Sequence, residues 1–299
     1  MNLEQLKNYI DLMRLHFFFV WSLVFCSGLV LSFQNYGTVS NWVILKAAMI
    51  AFFGFEAGFV MNDYVDHEVD RLDVDNFLTK YWRPFGVRPL PKQAISLDNA
   101  RLLFLILAGA SAVLIFSLPY PNSVYVLGIM IYSYLIEWFY QIKKRTQTYP
   151  LAQLIGRTDF ALFPVAGYLV NGGFDSVILF YLLFFYPFTQ AHLGLNDIID
   201  TANDHARGLA TIPILYGKKN TKLWISISSL IHLLLLANFL TQVNRVYISG
   251  FLFGAGFLLI SNILVWKGNS PKEWVRSLPF FHLSLLFYTL SIILPYFLG

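Results

Sequence analysis

Cysteine is almost absent from this chain. Its 299 residues include one, Cys26, set in an apolar run, so an intrachain disulfide is excluded and a thiol catalyst is not expected. Charge is scarce as well, with Asp, Glu, Lys and Arg making up 13% of residues against 57% hydrophobic and 18% aromatic. Together with a mean hydropathy of +0.59, this excludes an ordinary soluble globule and indicates a polytopic membrane protein. No H-x-x-x-H pair occurs and no second cysteine exists to complete a zinc site, so His67 and His205 read as polar loop residues. The net charge of +4 carries no nucleic-acid signal in such a chain. A cleaved leader is not expected, because Glu4, Lys7, Asp11 and Arg14 interrupt the first apolar residues. Leu3, Leu6, Ile10 and Met13 recur at helical spacing instead, which predicts a short amphipathic helix on the membrane surface.

Long apolar runs are what the sequence has in abundance. Leu15 to Phe33 is nineteen residues without a formal charge, enough to cross a bilayer. Further spans are predicted at about Val43 to Met61, Leu102 to Leu118, Val124 to Tyr140, Leu151 to Val170, Val177 to Leu195, Leu223 to Leu240, Ile248 to Trp266 and Leu278 to Leu298. The expected fold is an all-α integral membrane bundle of about nine transmembrane helices in one domain. The turn Pro119-Tyr120-Pro121-Asn122 makes the third and fourth spans an antiparallel hairpin. Arg157 and Asp159 interrupt the fifth, and charges at that depth face protein or a water-filled cavity. Basic residues collect in the loops after spans two, four, six and eight, whereas the opposite loops hold only Arg245. By the positive-inside rule, the N-terminus and the basic loops are expected on the cytoplasmic side.

Two acidic stretches stand out against this background. Asn62 to Asp70 and Asn196 to Asp204 both read N-D-x-x-D-x-x-x-D, follow spans two and six, and are offset by 134 residues. The repeat suggests two related four-helix units, about 15–140 and 151–266, plus a ninth helix at 278–298. On a helix, spacings of three and four share a face, so Asp63, Asp66 and Asp70 are expected to project together, as are Asp197, Asp200 and Asp204. One acidic run at a helix end is usually a solvated loop. Two copies with one spacing, holding six of seventeen acidic residues, point instead to a convergent site. Hard carboxylate donors select magnesium or calcium, and magnesium is commonly completed by substrate phosphate oxygens. Asn62 and Asn196 add amide donors. Candidate cations for a diphosphate are Arg83, Arg88 and Lys92, the Lys143-Lys144-Arg145 run, and Arg157, which is too deep for a topology signal.

These residues resemble the UbiA superfamily of intramembrane prenyltransferases, whose first motif has the form N-D-x-x-D-x-x-x-D and whose second is built on D-x-x-x-D. Arg88-Pro89-Leu90-Pro91 resembles the R-P-x-P segment of that family, Tyr140 and Lys144 its Y-x-x-x-K, and Gly208, Thr211 and Pro213 its G-x-x-T-x-P tail. The chain departs from the pattern at Ala210 and at Lys92-Gln93, and the stretch from Asp73 to Trp82 leaves open whether Arg83 or Arg88 meets phosphate. The resemblance implies that the six aspartates hold two Mg2+ ions, that Asn62, Arg88, Tyr140, Lys144, Arg157 and Asn196 bind the diphosphate of an isoprenyl diphosphate, and that an allylic cation is transferred. It implies an aromatic quinone precursor or a lipid-like glycerophosphate ether as acceptor. Aromatic walls such as Phe17, Phe18, Phe52, Phe53, Tyr132 and Phe139 are expected to carry the prenyl chain. A CDP-alcohol phosphotransferase is disfavoured because D-G-x-x-A-R is absent, and a cation transporter because only Glu56 and Asp159 lie near mid-span.

Overall fold

The apolar runs fold into helices throughout the computed structural model, which describes residues 2–298, and no strand occurs among them. The elements in order are α1 (Leu3–Met13), α2 (Phe18–Tyr36), α3 (Asn41–Asp66), α4 (Phe77–Trp82), α5 (Leu97–Phe116), α6 (Asn122–Lys143), α7 (Leu151–Gly156), α8 (Thr158–Tyr168), α9 (Ser176–Ile199), α10 (Thr201–Ala206), α11 (Ile212–Gln242), α12 (Ile248–Lys267), α13 (Pro271–Trp274) and α14 (Leu278–Leu298). Eight of the helical segments are long and apolar enough to span a membrane. Many large apolar side chains point outward, as lipid in place of water allows, among them Val113, Phe116 and Leu234.

The fifth expected span, Leu151 to Val170, is not one helix. It breaks at Arg157 into α7 and α8, so no single span of membrane length forms there. Backbone carbonyls around such a break need secure partners where water is absent, and α9 adds donors from its side chains. Gln190 Nε2 donates to the carbonyl of Gln153 at 3.0 Å, Tyr186 Oη to that of Leu154 at 2.8 Å, and Thr189 Oγ1 to that of Arg157 at 3.3 Å. The break turns Arg157 and Asp159 into the interior, where both line the main cavity.

Two spans are longer than hydropathy alone indicates. α3 runs through the first motif as far as Asp66, and α11 begins at Ile212, with a non-helical step at Gly217, φ +79°. The N-terminal helix forms as expected, closed by a capping box between Asn2 and Gln5. Its last turn is functional in shape: buried Asp11 accepts the backbone N–H of Phe85 at 2.9 Å and of Val87 at 2.7 Å. That pins the loop carrying Arg83 and Arg88 against the bundle.

Close helix contact beside the cavity depends on two glycines. A Cβ on Gly28 of α2 would overlap the Pro164 carbonyl oxygen of α8, and one on Gly167 of α8 would overlap the Phe25 carbonyl oxygen of α2. Small residues permit this approach, as is usual between membrane helices. Gly28→Val is therefore expected to destabilise the protein by about 1–3 kcal/mol through overpacking, read as a lower thermal midpoint in detergent. Gly109→Ala, where an added Cβ meets nothing within 4 Å, serves as the control and should leave the midpoint unchanged or slightly raised.

Candidate active site

Both acidic motifs arrive at one cavity of about 270 Å³, enclosed by α2, α3, α6, α8 and α9 and capped by the loop after α3. Helical spacing explains only part of the convergence. Asp63 and Asp66 lie on α3, but the helix stops there and a 3-10 turn, Val69–Leu72, brings in Asp70. Asp197 lies on α9, Asp200 at the joint between helices, and Asp204 on α10. All six carboxylates are buried, and Asp66, Asp70, Asp197, Asp200 and Asp204 line the cavity. Asp63 is turned away from it, toward Arg14 at 2.9 Å and into a short contact with Arg83.

Each carboxylate of the first motif is met by cations. Asp66 accepts from Lys144 Nζ at 2.6 Å and Arg145 at 3.0 Å. Asp70 contacts Arg88 closely and faces Arg207 at 3.3 Å. Arg207 also reaches Asp200 at 3.2 Å and makes a close contact with Asp73, so one guanidinium ties the two motifs together. Burial alone would depress its proton affinity, but Asp70, Asp200, Asp73 and Asp204 together hold Arg207 above the usual arginine range. The second motif is less well matched. Asp204 accepts from Thr211 Oγ1 at 2.7 Å, and its nearest cation, Arg207, is 3.9 Å away. Burial, then the charges of Asp200 and Asp197, push its carboxyl well above the ordinary range.

The other expected ligands come to the same place. Tyr140 is buried, with Lys144 Nζ 5.0 Å and the Arg157 guanidinium 4.7 Å from its ring centre. Asn62 donates to Glu137 at 2.6 Å, and Asn196 accepts from Trp82 Nε1 at 3.1 Å. Arg83 and Arg88 both line the cavity, one held by Asp63 and the other by Asp70 and Asp73. Lys92 does not line this cavity but an adjoining surface pocket that shares Asp70 and Arg88 with it.

Several participants were not evident from the sequence. Arg14 looked like a leader-interrupting charge, yet it touches Asn62, Asp63 and the Phe59 ring. Arg207 looked like a topology signal, and Glu137 passed unnoticed between aromatics. The expected aromatic wall is also corrected: none of Phe17, Phe18, Phe52, Phe53, Tyr132 and Phe139 lines the cavity. Trp21, Phe25, Phe55, Phe59, Phe160 and Phe163 do. The reason is angular, since the cavity face of α3 follows Ile50, Gly54, Gly58, Asn62 and Asp66, and Phe52 and Phe53 point elsewhere. Phe55 stacks on Trp21 with ring centres 4.0 Å apart, making a flat aromatic floor below the charged mouth.

Among the described residues no three His, Cys, Asp or Glu side chains stand close enough to hold one ion by themselves. The donor set nevertheless fits magnesium. It offers carboxylates in ones and twos around an opening where phosphate oxygens and water would complete a magnesium shell, and Asp70 Oδ1, which faces the Arg207 guanidinium at 3.3 Å, is buried without a hydrogen bond.

Comparison with known proteins agrees with this geometry. Residues 19–285 match the UbiA prenyltransferase family. A digeranylgeranylglyceryl phosphate synthase of Methanobrevibacter smithii is 30% identical over 227 residues, covering 74% of this chain and 72% of that one. A UbiA homolog from Archaeoglobus fulgidus bound to GPP and Mg2+ superimposes with a TM-score of 0.71 at 18% identity, over 96% of this chain and 99% of that one. One from Aeropyrum pernix K1, without ligand, gives 0.73 at 19% identity, over 93% and 96% of the two chains. The all-helical membrane fold, the paired acidic motifs and the match along most of the sequence lead to one conclusion: the chain is a membrane-embedded prenyltransferase and belongs to the UbiA prenyltransferase family.

Proposed function

We propose that this protein transfers an isoprenyl group from its diphosphate to the free hydroxyl of a prenylated glycerophosphate, releasing diphosphate and a proton. One observation carries the reading. A single cavity has a mouth of buried carboxylates and cations and an interior of aromatic and aliphatic side chains, which matches an amphiphile with a diphosphate head. The glycerophosphate acceptor is inferred from the relative named digeranylgeranylglyceryl phosphate synthase.

In this reading Asp66 and Asp70 on one side and Asp197, Asp200 and Asp204 on the other hold two Mg2+ ions, with Asp63 fixing Arg14 and Arg83 behind them. When bound, the ions neutralise the diphosphate and ease its departure. Arg83, Arg88, Lys144 and Arg157 bind and orient its oxygens, assisted by Asn62, Tyr140 and Asn196. Arginine forks suit the non-bridging oxygens, and Lys144 supplies a point charge. Trp21, Phe55 and Phe59 exclude water and present ring faces to a developing allylic cation.

The interrupted pair α7 and α8 counts here as a ninth crossing, so that two four-helix units and a last helix make up one domain. Basic loops then place the N-terminus and the cavity mouth in the cytoplasm.

Asp66→Ala and Asp200→Ala, assayed with labelled prenyl diphosphates against glycerophosphate and aromatic acceptors, are each expected to lose at least about a hundredfold in transfer. Turnover near wild type in either would remove the metal–diphosphate reading, and product from aromatic acceptors alone would move the acceptor class. Geranyl diphosphate with Mg2+ should raise the thermal midpoint of the purified protein, and EDTA should abolish the rise; an equal rise in EDTA contradicts metal-assisted binding. Cysteines introduced at Asn76 and His205 should be labelled from the cytoplasm and one at Val246 from outside. Labelling of Asn76 and His205 from opposite faces would break the topology.

A further inference from the structure

Transfer to a hydroxyl leaves a proton to be disposed of, and the diphosphate-binding groups are occupied with charge. Beside them lies one buried carboxyl with no part in that task. Glu137 of α6 is buried and lines the cavity one helical turn before Gln141 and two turns before Lys144. Two donors converge on one of its oxygens: Asn62 Nδ2 at 2.6 Å and Gln141 Nε2 in a short contact, both to Oε1. Oε2 receives neither.

We propose that Glu137 is the general base that takes the proton from the acceptor hydroxyl. Its place follows from the neighbours. Asn62 precedes the first motif and Lys144 binds Asp66, so Glu137 stands between the charged mouth and the aromatic floor, where the reacting carbon of a diphosphate-anchored chain must lie. Fixing Oε1 with two donors aims Oε2, which orients a base without consuming its accepting oxygen. Gln141 also accepts closely from Lys144, so hydrogen bonds connect the base to the Lys144–Asp66 pair.

The step balances. The acceptor O–H bond breaks and its proton passes to Glu137. The oxygen pair forms the new C–O bond, and the carbon–diphosphate bond breaks with its electrons leaving on diphosphate. The proton stays on Glu137 until product departs.

This inference rests on prenyl transfer to a hydroxyl, and its test separates the two. The full-length protein, wild type and Glu137→Gln, is assayed with geranylgeranyl diphosphate, Mg2+ and two glycerophosphate acceptors. One carries an ordinary hydroxyl and the other a fluorine-acidified one. Glu137→Gln is expected to lose about 10²–10⁴ in kcat with the ordinary acceptor, the range for a lost general base. Binding of geranyl diphosphate should stay within about threefold, and the deficit should shrink at least about tenfold with the acidified acceptor, which needs less help to lose its proton. A merely structural Glu137 would lose binding with transfer and show no dependence on acceptor acidity; either result, or an unchanged kcat, overturns the proposal. A wild type that prenylates no hydroxyl acceptor overturns it together with the function it rests on. If Glu137→Gln does not fold, Glu137→Asp, whose carboxyl is drawn back by one methylene, decides. It is expected to lose kcat while binding diphosphate, and wild-type kcat in it overturns the assignment.

Discussion

Charges taken out of water inside a membrane protein must find opposite charge, and this requirement shapes the cavity mouth. Arg207 meets it most completely, touching carboxylates from the loop after α3 and from both motifs. Removing one partner of a buried pair typically costs about 3–5 kcal/mol, largely because the other is left stranded. The mouth is thus held together by attractions that a substrate can replace, since phosphate oxygens offer arginines the same geometry as carboxylates. The weakly matched second motif, with Asp204 no nearer than 3.9 Å to a cation, is the natural place for added positive charge.

Much of this was legible in sequence. Long apolar runs gave the spanning segments, and two identically spaced acidic motifs gave the convergence. Both signals are periodic, and periodicity survives without coordinates. The break at Arg157 was only half legible: paired charges marked the depth as unusual, but the partners that make a break tolerable, Gln190, Thr189 and Tyr186, sit on another helix. Arg14 and Arg207 were missed for a similar reason, because a basic residue at a helix end reads as a break in a leader or as topology until its contact is seen.

The aromatic wall failed more instructively. Phe52 and Phe53 were as aromatic as Phe55 and Phe59, and composition cannot rank them. The rotation of α3 does, and it follows from where Asn62 and Asp66 must point. A reading that fixed Asp66 and Asn62 first and stepped backward four residues at a time would have put Gly58, Gly54 and Ile50 on the cavity face, with Phe59 and Phe55 each one position beside it.

Asp11 gives the N-terminal helix a mechanical meaning. By gripping the backbone at Phe85 and Val87, it holds from outside the bundle the same loop whose arginines Asp63 and Asp70 hold from within. The mouth is therefore strung between two anchors, one in the membrane-spanning core and one on a helix whose exposed Leu3 and Leu6 face the surroundings. Whatever displaces that outer helix slackens the string, and does so without touching a residue in contact with substrate.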